Sequence, residues 1–351
     1  MKVLVTGGSG FLGLEICRQL IARGSQTVSI SRRPSAELAN LGVRQYQVDI
    51  TDTADLALLS RAAAGCEAVV HSAALAGASG PLRPYWRANV TGTLNVIAAC
   101  RVQSVPALVH TSTASVVFRP GGLEGVNEDL PYPRRHLAAY TRTKAEAEAL
   151  VLAAHSPKLA TLALRPHIIW GPGDPHFAPA LARAVRAGHL LMPGEGNNLI
   201  DTTHVRTAAH AHLLALDALQ QPRQAGGRVY FIGQDDPRPL REITLRLLQA
   251  AGINARWRTV PPRLATATAT VGEAYLRLTR SRRTHALSRL LVAEMLHPHH
   301  FDLTAARRDL RFEPPIGFDD GLDELTRTAP PALDNSKESP CRKPTTPSVP
   351  S

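Results

Sequence analysis

Short apolar, β-branched runs recur through the first half of the chain. "KVLVT" (2–6), "QTVSIS" (26–31), "RQYQV" (44–48), "EAVVHSA" (67–73) and "ALVHTST" (107–113) are each bounded by turn residues, which predicts strands. Between them the pattern is helical over 12–23, 53–64 and 85–103. Strands that alternate with helices imply parallel βαβ units, so the expected fold class is α/β with a doubly wound parallel sheet of Rossmann type. "TLALRP" (161–166) reads as a further strand, placed after another helical stretch.

Beyond residue 166 the alternation loosens. Glycine and proline mark loops at "WGPGDP" (170–175) and "MPGEGNN" (192–198). Helices are expected over 177–188 and 205–221, and "RVYFIG" (228–233) reads as a late strand. Residues 265–296 are nearly free of helix breakers and carry Arg277, Arg280, Arg282, Arg283 and Arg289 among leucines. The final stretch is polar and proline-rich, the composition of a disordered tail. The expected organisation is therefore a dinucleotide-binding domain over 1–166, a mixed region over 167–327 with segments that return to the core sheet, and a tail over 328–351.

Composition narrows the class. Apolar residues make up 44% of the 351 positions and charged residues 20%, which suits a soluble globular chain. The apolar runs fall short of the ~20 residues that span a bilayer. "MKVLVTGG" reads as a strand entering a turn rather than as a signal peptide. Cys17, Cys66, Cys100 and Cys341 lack metal-ligand or C-x-x-C spacing, which fits reduced thiols and a cytoplasmic location. The net charge of +11 fits a nucleic-acid or anionic-membrane partner, or an arginine-rich surface with a phosphorylated ligand. No nucleic-acid module is recognisable, so no nucleic-acid partner is expected.

The chemistry begins at "VTGGSGFLG" (5–13), between the first strand and the first helix. Gly7, Gly10 and Gly13 are three apart, and Gly8, Gly10 and Gly13 spell G-x-G-x-x-G. Glycine allows a tight turn and close approach to a pyrophosphate, whose charge then faces a helix N-terminus. The second strand ends in Ser31, Arg32 and Arg33, with no acid to accept from a ribose 2′-hydroxyl. Arginine there suits a 2′-phosphate, so NADP(H) is the expected preference, with NAD(H) the alternative. Asp49, after the third strand, is placed to meet the adenine amino group.

"AAYTRTKAEA" (138–147) puts Tyr140 and Lys144 one helical turn apart on the same face, after a strand that closes in "HTSTASVV" (110–117). With "RPHIIWGPGD" (165–174), these motifs in this order resemble the extended short-chain dehydrogenase/reductases from residue 1 to about 325. Within them the chain resembles the 3β-hydroxysteroid dehydrogenase-like branch, and the 2-alkyl-3-oxoalkanoate reductases of bacterial long-chain olefin biosynthesis in particular. "DTTHV" (201–205) and "HPHHFDLTAARRDLRFEPPIGFDDGL" (297–322) support that branch.

The resemblance implies Tyr140 as general acid/base, Lys144 as its electrostatic partner and ribose holder, and Thr113, beside Ser112, as the hydroxyl that bonds the substrate oxygen. It implies a cofactor site of Gly7, Ser9, Gly10, Phe11, Leu12, Gly13, Arg32, Asp49, Ile50, Ala73, Asn89, Tyr140, Lys144 and Pro166. It further implies a smaller C-terminal substrate-binding region, a homodimer and association with other olefin-pathway enzymes. Independently, a phenol that titrates near ~10 needs a neighbouring positive charge to exchange protons readily at neutral pH.

Sugar-nucleotide members of the superfamily carry an arginine just before "D-x-x-x-V"; here that place holds Ile200. The expected reaction is therefore reduction of a ketone on a hydrophobic substrate, a 2-alkyl-3-oxo fatty acid or a steroid-like ketone. Arg206 or Arg183 could supply the missing charge, which keeps a nucleotide-sugar epimerase or dehydratase as the alternative. A non-catalytic dinucleotide-sensing regulator is a second alternative, opposed by the joint presence of Thr113, Tyr140 and Lys144. The stretch 264–296 reads either as an amphipathic helix packed on its own domain or as a lid or peripheral membrane contact. His297, His299 and His300 lack acidic or cysteine partners at ligand spacing, so no metal is expected. His167 and Trp170 are further candidates for the substrate pocket.

Overall fold

A computed structural model describes residues 1–220, 225–279 and 287–328. Its centre is a sheet of seven parallel strands. In chain order these are β1 (Lys2–Thr6), β2 (Gln26–Ser31), β3 (Arg44–Gln47), β4 (Ala68–His71) and β5 (Ala107–Thr111), then Ala160–Pro166 and Arg228–Ile232. The spatial order runs from Arg228–Ile232 through Ala160–Pro166, β5, β4, β1 and β2 to β3. The order reverses between β1 and β4, and ligands bind at such a crevice, beyond the carboxyl ends of the strands.

Strand side chains alternate between two separate cores. Val3, Val5, Ala68, Val70 and Val109 pack on one face with Ile16 and Leu20 of α1 (Phe11–Ala22) and with Leu213 and Leu216 of the helix Val205–Gln220. Leu4, Val69 and Leu108 point the other way, against Leu59, Val96 and Val151. A parallel sheet covered on both faces needs such uninterrupted apolar strands, which is why their runs stand out in the sequence.

A third core belongs to the C-terminal region. Trp170, Leu181, Leu190, Ile200, Leu247, Trp257 and Phe318 gather there among short strands and helices. The helix Pro262–Leu278 turns Ala265 and Ala269 towards Val292 of the helix Arg289–Leu296. On its outer side Leu264, Val271, Tyr275 and Leu278 are exposed. The stretch thus packs on its own domain and also presents an apolar stripe. Arg280, Arg282, Arg283 and residues 329–351, with Cys341, lie outside the described residues.

Several boundaries differ from expectation. The helix expected over 85–103 is three segments: Leu82–Tyr85, a π-helical turn Trp86–Thr91, and Gly92–Val102. The helix expected to end at 188 ends at Ala184, because Val185–Arg186 pairs with His189–Pro193 as a hairpin. "HPHHF" contains a strand, His299–Phe301, which pairs with Leu123–Val126.

Candidate active site

At the crossover between β1 and β4 a cleft of about 830 Å³ opens. Gly7, Ser9, Gly10, Arg32, Asp49, Ile50 and Ala73 line it. The glycine turn is shaped for a close ligand. Gly7 has φ +71°, and a Cβ on it would lie 2.9 Å from the Ala73 Cα. A Cβ on Gly13 would lie 2.2 Å from the Gly7 carbonyl oxygen, so α1 can start against the turn only with glycine there. Gly10 caps α1 without a side-chain hydrogen bond, which leaves the amides of its first turn to an anion. These features fit a dinucleotide pyrophosphate. Phe11 and Leu12 follow in the first turn of α1, both half-buried.

Asp49 is held by Thr51, whose N–H and hydroxyl both donate to Oδ1, at 2.9 and 2.7 Å. Burial raises its pKa, but the Thr51 bonds and the charges of Arg87 and Arg32 outweigh that and leave it lowered. Arg87 also lines the cleft, and its Nε donates to Thr51 Oγ1 at 2.9 Å. Sequence reasoning missed Arg87, which reaches the cleft from the π-helical turn and has no motif of its own.

Thr113 and Tyr140 come together at the end of β5. Thr113 caps the 3-10 turn Ala114–Val116 through Oγ1, which accepts from Ser115 N at 3.3 Å. Its hydroxyl also interacts with the Tyr140 phenol, in the sense that favours the phenolate. The hydroxyl of its neighbour Ser112 is buried and has no partner among the described residues. The Tyr85 ring meets Tyr140 edge-on, with centroids 6.4 Å apart.

Tyr140 opens the helix Ala139–Ala153 and Lys144 lies one turn on, fully buried. Lys144 Nζ donates to Thr111 O at 2.5 Å and lies 3.3 Å from His110 Nε2. Burial lowers its pKa to about 8, against the opposing pull of Glu148. Burial likewise pushes Tyr140 up to about 12, with the Thr113 bond opposing. The expected lowering by an adjacent ammonium is therefore absent in this structure, because Lys144 is turned towards β5. A phenol raised in this way holds its proton at neutral pH, the form from which a carbonyl oxygen is protonated during reduction.

Asn89 sits in the π-helical turn, where such turns often mark functional sites. Its Oδ1 accepts from Leu75 N at 2.7 Å, and its Nδ2 donates to Leu75 O and to Thr143 Oγ1, each at 3.1 Å. It thus ties the loop after β4 to the Tyr140 helix. Pro166 ends its strand opposite Ile232. His167 and Trp170 are almost wholly buried; His167 bonds His299, and Trp170 donates to Thr202 within the C-terminal core. His167 Nδ1 has no partner among the described residues.

The model of the 3-beta hydroxysteroid dehydrogenase/isomerase family matches residues 4–263. The 2-alkyl-3-oxoalkanoate reductase of Stenotrophomonas maltophilia is 42% identical over 93% of this chain and 98% of its own length. The protein of the same name from Shewanella oneidensis is 36% identical over 92% of this chain and 84% of its own. Among solved structures, MoeE5 in complex with UDP-glucuronic acid and NAD superposes with a TM-score of 0.70 at 26% identity, covering 93% of this chain and 98% of MoeE5.

These comparisons correct the cofactor expectation. MoeE5 holds NAD, as do further solved structures of this fold at 25–26% identity, so NAD(H) is favoured over NADP(H). The physical reason lies in Arg32 and Arg33. Both are exposed at the mouth of the cleft, and the Ser31 hydroxyl donates to the Arg33 carbonyl oxygen at 2.8 Å. A pair of solvated arginines is surface charge unless further groups fix it around a phosphate.

Proposed function

This chain belongs to the 3-beta hydroxysteroid dehydrogenase/isomerase family, NAD(P)-dependent oxidoreductases, and we propose that it interconverts a 2-alkyl-3-oxo fatty acid and its 3-hydroxy acid with NAD(H). The observation that carries this reading is the interaction of the Thr113 hydroxyl with the Tyr140 phenol, in a chain that has a glycine-lined cleft and is alike a 2-alkyl-3-oxoalkanoate reductase along nearly its whole length.

A dinucleotide held at the glycine turn would supply the hydride for the carbonyl carbon. Tyr140 delivers the proton to the carbonyl oxygen, and the Thr113 hydroxyl polarises that oxygen by donating to it. Lys144 carries a positive charge beneath the site and aligns the Tyr140 helix on β5. Gly7, Ser9 and Gly10 would hold the pyrophosphate, and Asp49 the adenine end.

The nucleotide-sugar alternative has less support. Ile200 is fully buried in the C-terminal core, and Arg206 is engaged with Glu324 at 3.3 Å. Tyr140→Phe tests the reading: turnover should fall by roughly 10²–10⁴-fold while NADH still binds. A variant that keeps most of its activity would remove Tyr140 from the chemistry. The exposed stripe on Pro262–Leu278 supports a peripheral membrane contact for an otherwise cytoplasmic enzyme. Protein that stays in the soluble fraction during flotation with anionic liposomes would exclude that contact.

A further inference from the structure

Glu294 is the one acidic residue of the helix Arg289–Leu296, and it belongs to neither the cofactor cleft nor any motif. Its Oε1 accepts from the Ser115 hydroxyl at 2.8 Å, across 179 residues of chain. Ser115 is two residues past Thr113 and donates its N–H to Thr113 Oγ1. The Thr113 hydroxyl and the charge of Glu294 both act on the Tyr140 phenol, in opposite senses. Glu294 is therefore linked through Ser115 to Thr113, the hydroxyl expected to meet the substrate oxygen. It keeps partial solvent access, and among the described residues no partner holds its Oε2.

We propose that Glu294 recognises the substrate's own carboxylate: anchored through Oε1 by Ser115, it donates a hydrogen bond from Oε2–H to the acid group next to the ketone. The inference rests on the reading of the substrate as a 3-oxo or 3-hydroxy acid. Ser115 fixes where the proton sits, because a hydroxyl that donates to Oε1 leaves Oε2 to carry the hydrogen. Burial raises the Glu294 pKa to about 7 against the Ser115 bond, so the protonated form is well populated at neutral pH. A substrate carboxylate close by favours that form further. An ionised Glu294 would instead repel the substrate.

The surrounding groups leave this role to Glu294. Burial keeps Tyr140 neutral at this pH. His299 Nε2 bonds the Glu294 backbone oxygen, its Nδ1 bonds His167, and burial lowers the pKa of both rings. His297 and His300 flank His299 in the chain. On the helix Pro262–Leu278, Glu273 pairs with Arg289 at 2.9 Å. On His189–Pro193, His189 Nδ1 meets the Ala187 oxygen at 3.0 Å.

The test follows NADH formation from a 2-alkyl-3-hydroxy acid and from its methyl ester, with kcat/KM measured from pH 6 to 9. The readout is the acid-to-ester ratio, in which a general loss of activity cancels. Wild type should favour the acid near pH 6 and lose that preference as pH rises through about 7, where Glu294 ionises. Glu294→Gln keeps an N–H donor that cannot ionise, so its ratio should not vary with pH. Glu294→Leu should lower the ratio at pH 6 by roughly tenfold or more, the worth of one hydrogen bond to a charged group. A wild-type ratio independent of pH, or an unchanged ratio in Glu294→Leu, would overturn the proposal. If wild type turned over neither compound, the substrate reading would fall, and this inference with it.

Discussion

Lys144 Nζ donates to the Thr111 carbonyl oxygen at 2.5 Å, so the helix that begins at Tyr140 is tied to the end of β5 two residues before Thr113. The proton donor and the polarising hydroxyl are thereby fixed relative to each other by a buried ammonium. Lys144→Met should remove both the charge and the tie. We expect kcat to fall by roughly 10²-fold or more with the fold retained, as measured by NADH oxidation alongside circular dichroism. Near-normal kcat would mean that Lys144 serves packing alone.

The glycine turn leads to a binding prediction. A Cβ on Gly13 would collide with the Gly7 carbonyl at 2.2 Å, so Gly13→Ala must push α1 away from the turn. The dissociation constant for NADH should rise roughly tenfold or more by fluorescence titration, since steric strain at such positions commonly costs 1–3 kcal/mol. Gly317→Ala, whose nearest neighbour is Asp320 at 3.5 Å, should leave it unchanged.

Behind the site, Arg165 and Glu148 form a buried ion pair at 2.6 Å, to which the Tyr132 hydroxyl adds a bond at 2.6 Å. Glu148→Gln would leave the guanidinium buried without its counter-charge. Stability should fall by about 3–5 kcal/mol in urea unfolding. The double replacement Arg165→Met with Glu148→Leu should recover part of that loss, because it buries no charge.

Cofactor choice provides a fourth prediction. With a 2-alkyl-3-oxo acid as substrate, kcat/KM for NADH should exceed that for NADPH. Because Arg32 is exposed at the cleft mouth, Arg32→Ala should change the NADH value by less than about threefold, in the range of surface substitutions. A clear preference for NADPH would restore a phosphate-binding role to Arg32 and Arg33.

The core sheet was legible because parallel strands covered on both faces must be apolar throughout, and all seven of its strands fall within a residue or two of their expected places. Thr113, Tyr140 and the glycine turn were legible because backbone geometry or proton chemistry restricts what can stand there. The π-helical turn at Trp86–Thr91 was hidden, since one extra residue in a turn barely disturbs helical periodicity. Two-residue strands such as Leu199–Ile200 are too short to carry a period of their own. Arg87 and Glu294 left no local signal, because tertiary folding alone brings them to the cleft and to Ser115. The arginines after β2 misled for a related reason: a charge in sequence does not say whether other groups will fix it on a phosphate.

The most direct test of the central claim is NADH oxidation with a 2-alkyl-3-oxo fatty acid, run in parallel on wild type and Tyr140→Phe. The account predicts rapid oxidation by wild type, loss of turnover in the variant, and similar NADH affinity in both. Turnover only with a UDP-linked keto sugar, or undiminished activity in Tyr140→Phe, would contradict it.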